Sequence, residues 1–236
     1  MRNNLLALSA FALAVTLLDG VASGQDSKKE TIEPTHWRTI FDGKSLNGWE
    51  HVGPGKMVLE DGMIRTEGGM GLLWYTKEKL GDCVIRVVYK TGGQDANSGV
   101  YVRIAEKPKD PWYAVHHGFE IQISDTSDEF HGTGAIYSMS KNTGRPTKPT
   151  GEWNTMEIVL RGQEILVNLN GAQVNKFNPE TAKIPERTKE YEPERGPRPP
   201  SGYIGLQNHG DVTGNQAVFF KEVSVRPLAR SDHSKF

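Results

Sequence analysis

Residues 97–125 read "NSGVYVRIAEKPKDPWYAVHHGFEIQISD", and this stretch decides the fold. Successive side chains of a strand point to opposite faces. In "GVYVRI", Val100, Val102 and Ile104 take one face, and Tyr101 and Arg103 the other. In "FEIQIS", Phe119, Ile121 and Ile123 take one face, and Glu120, Gln122 and Ser124 the other. Each segment is therefore a strand with one apolar face for a core. Residues 105–117, with Pro108 and Pro111, read as a loop carrying Trp112, Tyr113, His116 and His117.

The same alternation recurs outward from this pair. In "YIGLQNH" (203–209), Ile204 and Leu206 face one way, and Gly205, Gln207 and His209 the other. "KMVLEDGMIRT" (56–66) is a hairpin with Asp61-Gly62 at its tip, and "EILVNLNGAQVNKF" (164–177) is another with Asn170-Gly171. "GLLWYT", "DCVIRVVYK", "GAIYSM" (134–139), "NTMEIVLRG" and "AVFFKEVSVRPL" complete the strand set. After residue 24 no helical period outlasts a turn or two. The pattern predicts an all-β chain folded as an antiparallel β-sandwich or jelly roll. In "FDGKSLNGWE" (41–50), Asp42-Gly43 and Asn47-Gly48 predict two turns, pinned by Phe41 and Trp49. Residues 177–201 form a long polar connection with six prolines.

Arg2 followed by the apolar run Leu5–Leu18 and the small residues Val21-Ala22-Ser23-Gly24 reads as a signal peptide, residues 1–24. Export to the periplasm or outside the cell is the expected destination, with no membrane span left after cleavage. A flexible segment, 25–36, then precedes one domain over 37–227 and a polar tail, 228–236. The single cysteine, Cys83, forms no internal disulfide and sits in a strand, which predicts a buried thiol. A net charge of −1 without a basic run excludes nucleic acid as partner.

The polar strand faces suggest a site. A merely solvated face favours Lys, Thr and Glu. Here Tyr101, Arg103, Glu120, Gln122, Gln207 and His209 are flanked by Trp112 and His116, a mixture suited to a polar ligand with an apolar ring face, such as a sugar. A common glycosidase needs two facing carboxylates. Glu120 and Asp125 are five apart and fall on opposite faces, so a second carboxylate must come from a loop, with Asp95 and Asp211 as sources. His209 is a candidate general base or metal ligand. No HExxH, Cys/His cluster, EF-hand loop or GxSxG is present. No cofactor is required; a divalent metal on Glu120 and His209 is allowed, but no spacing demonstrates it.

"FDGKSLNGWE", "NSGVYVR", "GFEIQISD", "GAIY", "PTGEWNTMEIVLRG" and "GYIGLQNHGD" resemble, in order, the signatures of the 3-keto-disaccharide hydrolase domain family, and with "VFFKEVSV" they span about 37–227. The resemblance implies a concanavalin A-like lectin/glucanase β-sandwich. Glucanases of that fold carry Glu-x-Asp-x-x-Glu where this chain has Glu120-x-Gln122-x-x-Asp125. The middle carboxylate is replaced, which speaks against ordinary retaining hydrolysis. The resemblance implies instead a 3-keto-glycoside substrate, whose acidic C2 proton is removed before the C1 substituent is expelled and water adds. On that chemistry His209 or Glu120 is the base, and Arg103 or a bound divalent cation stabilises the enolate. Gln122, Tyr137 and Gln207 then orient hydroxyls. A non-catalytic, lectin-like carbohydrate-binding module is the alternative, since fold alone does not confer activity.

Overall fold

The structure is a computed structural model that describes residues 36–209 and 216–228. The expected signal peptide (1–24), residues 25–35, Asp211 and residues 229–236 lie outside the described residues.

Among the described residues, thirteen strands and one short helix follow in the order β1 (Arg38–Phe41), β2 (Trp49–Val52), β3 (Lys56–Glu60), β4 (Met63–Glu67), β5 (Gly71–Tyr75), β6 (Cys83–Thr91), β7 (Asn97–Ile104), α1 (Pro111–His117), β8 (Phe119–Ser124), β9 (Asn154–Arg161), β10 (Glu164–Leu169), β11 (Ala172–Phe177), β12 (Tyr203–Asn208) and β13 (Val218–Pro227). One antiparallel sheet runs β11-β10-β9-β6-β13-β4-β3, with β1 also on β13; the second runs β2-β5-β12-β7-β8. The inner faces share one core. Ile85, Val87, Ile158, Val167 and Val223 come from the larger sheet, and Val100, Ile121, Ile123 and Leu206 from the smaller. Phe119 and Phe177 join the two layers edge to face, with centroids 5.6 Å apart. Burying each such side chain is worth about 1.5–3 kcal/mol. A jelly-roll β-sandwich results, as the alternation requires. Among the described residues no helix is long and apolar enough to cross a membrane.

The turn chemistry explains the connections. Asp61 and Gly62 (φ 49° and 74°) and Asn170 and Gly171 (φ 50° and 86°) both adopt the left-handed pair that matches hairpin twist. In 41–50 the turns pass through Gly43 and Gly48, and Trp49 donates its indole N–H to the Ile40 carbonyl at 2.9 Å. Trp49 and Phe41 are both buried in the core, so this stretch is a clasp and not a ligand platform. Cys83 is also buried, and desolvation pushes its thiol up to about 12, beyond nucleophilic use.

Three expectations are corrected. Residues 111–117 are helical: Asp110 accepts the Tyr113 amide at 3.1 Å as N-cap, and Pro111 opens the helix. Residues 134–139 are not a regular strand. The backbone there does bond to β8 through Tyr137 N to Glu120 O and Gly134 N to Gln122 O, but it turns at Gly134 (φ 85°) and Ser138 (φ 60°). The third correction is a β-bulge. β12 pairs Tyr203 with Ile104 and Gly205 with Tyr101, so Val102 and Arg103 together oppose Ile204. Arg103 takes φ 58°, and Gly202 permits the close approach, since a Cβ there would lie 2.4 Å from the Arg103 carbonyl carbon. The extra residue sends Ile104 to the Tyr101 face, where both pack with Leu72, Trp74, Ala114 and Val115. Strict alternation had put Ile104 with Val100 and Val102.

Candidate active site

The outer face of the smaller sheet is divided. α1 covers one part through Ala114 and Val115. Beside it opens a cavity of about 420 Å³. Its floor is made of outward side chains from three adjacent strands: Asn97 and Tyr101 from β7, Glu120 and Gln122 from β8, and Gln207 from β12. Trp112 and Val115 of α1, Ser127, His131 and Tyr137 of the 125–140 loop, Tyr191, Met70 and His209 form the walls.

The floor carries two side-chain hydrogen-bond groups. Gln207 Nε2 donates to Tyr101 Oη at 3.1 Å, and Tyr101 donates to Glu120 Oε2 at 2.8 Å. Gln122 Nε2 donates to Asn97 Oδ1 at 2.8 Å. Glu120 Oε1, Gln122 Oε1 and Gln207 Oε1 are buried and have no protein partner. Three orphaned acceptors on one floor are unusual, because each buried unpaired group costs about 1–3 kcal/mol. Gly99 makes room for the carboxylate: a Cβ there would lie 2.2 Å from Glu120 Oε1. Desolvation raises the Glu120 pKa to about 8, with the Tyr101 hydrogen bond opposing it. Burial and the neighbouring Glu120 hold Tyr101 well above its ordinary value. Burial, with Glu120 next, pushes Tyr137 up to about 12. His209 is exposed on its outer side, yet desolvation against the wall lowers its pKa, favouring neutral imidazole.

The structure brings together Glu120, His209, Gln122, Tyr137, Gln207, Tyr101 and Trp112. It does not bring in Arg103. The bulge turns that guanidinium to the sandwich edge, where it is 3 % exposed and bonds the Gly162 carbonyl at 3.0 Å and Asp82 at 3.2 Å. Nor does His116 line the cavity. It stacks behind Trp112 with ring centroids 6.4 Å apart. Asp125 is bonded by Thr133 Oγ1 at 2.6 Å and Asp95 is exposed; neither borders the cavity. Among the described lining residues, Glu120 is the one carboxylate. A two-carboxylate glycosidase site is thus not assembled from them.

Sequence reading missed His131, Ser127 and Tyr191. The signal for His131 was Asp128-x-x-His131, a carboxylate three residues before an imidazole; Nδ1 lies 2.9 Å from both Asp128 oxygens. Tyr191 arrives on the proline-rich connection, which is built rather than merely solvated. Arg195 bonds Glu192 at 3.0 Å and Ser138 Oγ at 3.2 Å, and Arg198 bonds the His116 carbonyl at 3.0 Å. As for a metal, Glu120 and His209 share the cavity, but no group of three His, Cys, Asp or Glu converges among the described residues. Among the described residues these two donors alone fall short of the three protein ligands of an open catalytic metal site.

Comparison with known proteins agrees with this architecture. A 3-keto-disaccharide hydrolase of Bacteroides thetaiotaomicron is 24% identical, over 88% of this chain and 83% of its own. A Parabacteroides distasonis structure, provisionally classed as a glycosyl hydrolase, is 26% identical, with a TM-score of 0.63 over 82% of this chain and 100% of that one. A galectin-like protein of unknown function from Bacillus subtilis shares the fold at 9% identity, with a TM-score of 0.59 over 82% of this chain and 96% of its own. Residues 36–226 match the 3-keto-alpha-glucoside-1,2-lyase-like domain. With most of its length accounted for in this way, the chain belongs to the 3-keto-alpha-glucoside-1,2-lyase-like domain family.

Proposed function

We propose that the protein is a carbohydrate-active enzyme that cleaves 3-keto-glycosides by C2 deprotonation, elimination of the C1 substituent and hydration. The observation that carries this is the floor: one buried carboxylate of raised pKa, flanked by two amide oxygens without partners. A sugar offers adjacent hydroxyl donors to satisfy Gln122 Oε1 and Gln207 Oε1, and Trp112 offers an apolar surface for its ring face. The family and the name borne by the Bacteroides thetaiotaomicron relative support a 3-keto substrate.

A single base suffices for this chemistry, because the C3 ketone makes the C2 proton acidic. Glu120 Oε1 takes that proton, and the electron pair moves into the C2–C3 bond to form an enolate at the C3 oxygen. A pKa near 8 makes the carboxylate a stronger base than an exposed one. Tyr137, whose phenol stays protonated in the working range, supplies a donor for the enolate oxygen. Collapse of the enolate expels the C1 substituent and leaves a C1=C2 bond conjugated to the ketone. Water then adds at C1, and Glu120, whose captured proton exchanges with solvent, delivers a solvent-derived proton to C2. His209 contacts the substrate at the rim. The leader at 1–24 supports an exported enzyme, which N-terminal sequencing of the mature protein checks.

The test is to offer a 3-keto-glucoside and its unoxidised parent. Turnover of the first alone is the expected result, and inertness toward both overturns the enzyme reading. The galectin-like fold favours a lectin as the second reading. There, Glu120→Gln changes affinity modestly, whereas an enzyme loses turnover by orders of magnitude.

A further inference from the structure

We infer that His131, oriented by Asp128, is the acid that protonates the leaving-group oxygen, and that the hollow beyond it receives the leaving group. This rests on the elimination reading above. His131 lines the main cavity and also an adjoining hollow of about 400 Å³, bounded by Asp128, Phe130, Ser138, Pro185, Glu186 and Glu192. It is the residue common to both. A glycoside has the matching form: two parts joined through one oxygen. With the sugar ring over Glu120, Gln122 and Gln207, the leaving group extends into the hollow and the linking oxygen comes to the junction.

The local geometry fits a proton donor. Asp128 Oδ1 accepts the amides of Phe130 (2.8 Å) and His131 (3.2 Å), which fixes the carboxylate on its own turn. Its two oxygens then hold His131 Nδ1, so that nitrogen carries its proton toward Asp128 and Nε2 is left for a ligand. The ring is also packed edge-on against Tyr137, centroids 5.1 Å apart. The other acids of the hollow are committed or remote. Glu192 accepts from the Thr188 amide at 3.1 Å and from Arg195, Glu129 pairs with Lys141 at 3.4 Å, and Glu186 is exposed. The hollow's acidic, hydroxyl-bearing lining suits a hydroxyl-rich leaving group, such as a second sugar, that donates hydrogen bonds.

The proton accounting closes with water as the sole co-reactant. As the C1–O bond breaks, its electron pair goes to the leaving oxygen, which takes the proton from His131 Nε2; the alcohol departs and imidazolium becomes imidazole. Glu120 meanwhile takes the C2 proton and exchanges it with solvent. In hydration, His131 accepts a proton from water as its oxygen bonds C1, and Glu120 protonates C2. Both groups return to their starting forms.

The experiment uses the full chain and its His131→Gln and Asp128→Asn variants with two 3-keto-glucosides. One carries a methoxy leaving group that must be protonated; the other carries 4-nitrophenoxide, which leaves as a stable anion. Loss of a general acid costs on the order of 10²–10⁴ in rate. His131→Gln is expected to lose that much on the methyl glycoside and less than tenfold on the nitrophenyl one, while still exchanging the C2 proton for solvent deuterium. Asp128→Asn loses in the same direction by less, and stands in should His131→Gln not fold. Equal losses on both substrates, with exchange lost in parallel, overturn the acid role. Absence of turnover and of exchange in the unmutated protein overturns the elimination reading, and this inference with it.

Discussion

Replacing Glu120 by Gln is expected to stabilise the protein above pH 8 and to do little at pH 5. Burial lifts the Glu120 pKa from an ordinary 4.5 to about 8. A carboxyl whose folded pKa lies above its unfolded one favours folding fully below the unfolded value, and that contribution is lost as pH rises through the folded one. At about 1.4 kcal/mol per pKa unit the full loss is about 5 kcal/mol, of which about 4 falls between pH 5 and 9. The amide pays no such charge-burial penalty and keeps an oxygen for the Tyr101 hydroxyl. For a domain of this size the gain at pH 9 corresponds to roughly 10–20 °C in Tm. Thermal melts of both proteins from pH 5 to 9 measure it. A Tm difference that stays constant across that range refutes the claim that Glu120 is held protonated by burial. The same variant should lose turnover by at least about 10³, showing stability traded for function at this position.

Further outcomes follow from individual contacts. Tyr101→Phe removes the donor that holds the Glu120 pKa down, so the ascending limb of the pH–rate profile moves to higher pH; an unmoved limb counts against Glu120 as base. Gly99→Ala places a Cβ against Glu120 Oε1 and should abolish turnover while the protein still folds, as judged by circular dichroism. Arg103→Ala should cost about 1–3 kcal/mol in urea unfolding by removing the buried guanidinium that bonds the Leu80 and Gly162 carbonyls. Activity per folded molecule stays near normal, because that guanidinium is outside the cavity.

Period-two alternation made most of the sandwich legible, because the core is built from one face of each strand. Val100, Ile121 and Leu206 went inward as read, and Tyr101, Glu120, Gln122 and Gln207 therefore had to share the opposite face. What alternation cannot encode is the inserted residue of a bulge. One extra position at Val102-Arg103 reversed Ile104 and turned Arg103 away, and its cause, the contact with Gly202, is ninety-nine residues distant in sequence. The walls were less legible for a related reason. His131 and Tyr191 lie on connections whose paths are set by long-range hydrogen bonds, such as Arg195 to Ser138. The cap that makes α1 helical was readable in Asp110-Pro111, but its seven residues are too few to show a period.

The central claim is that Glu120 removes the C2 proton of a 3-keto-glycoside. A 3-keto-glucoside bearing deuterium at C2 tests it directly, with the isotope at C2 of the released sugar followed by NMR in ordinary water. The account predicts that deuterium is lost to solvent during turnover, and that Glu120→Gln releases neither deuterium nor product. Cleavage that leaves the C2 deuterium fully in place would contradict it.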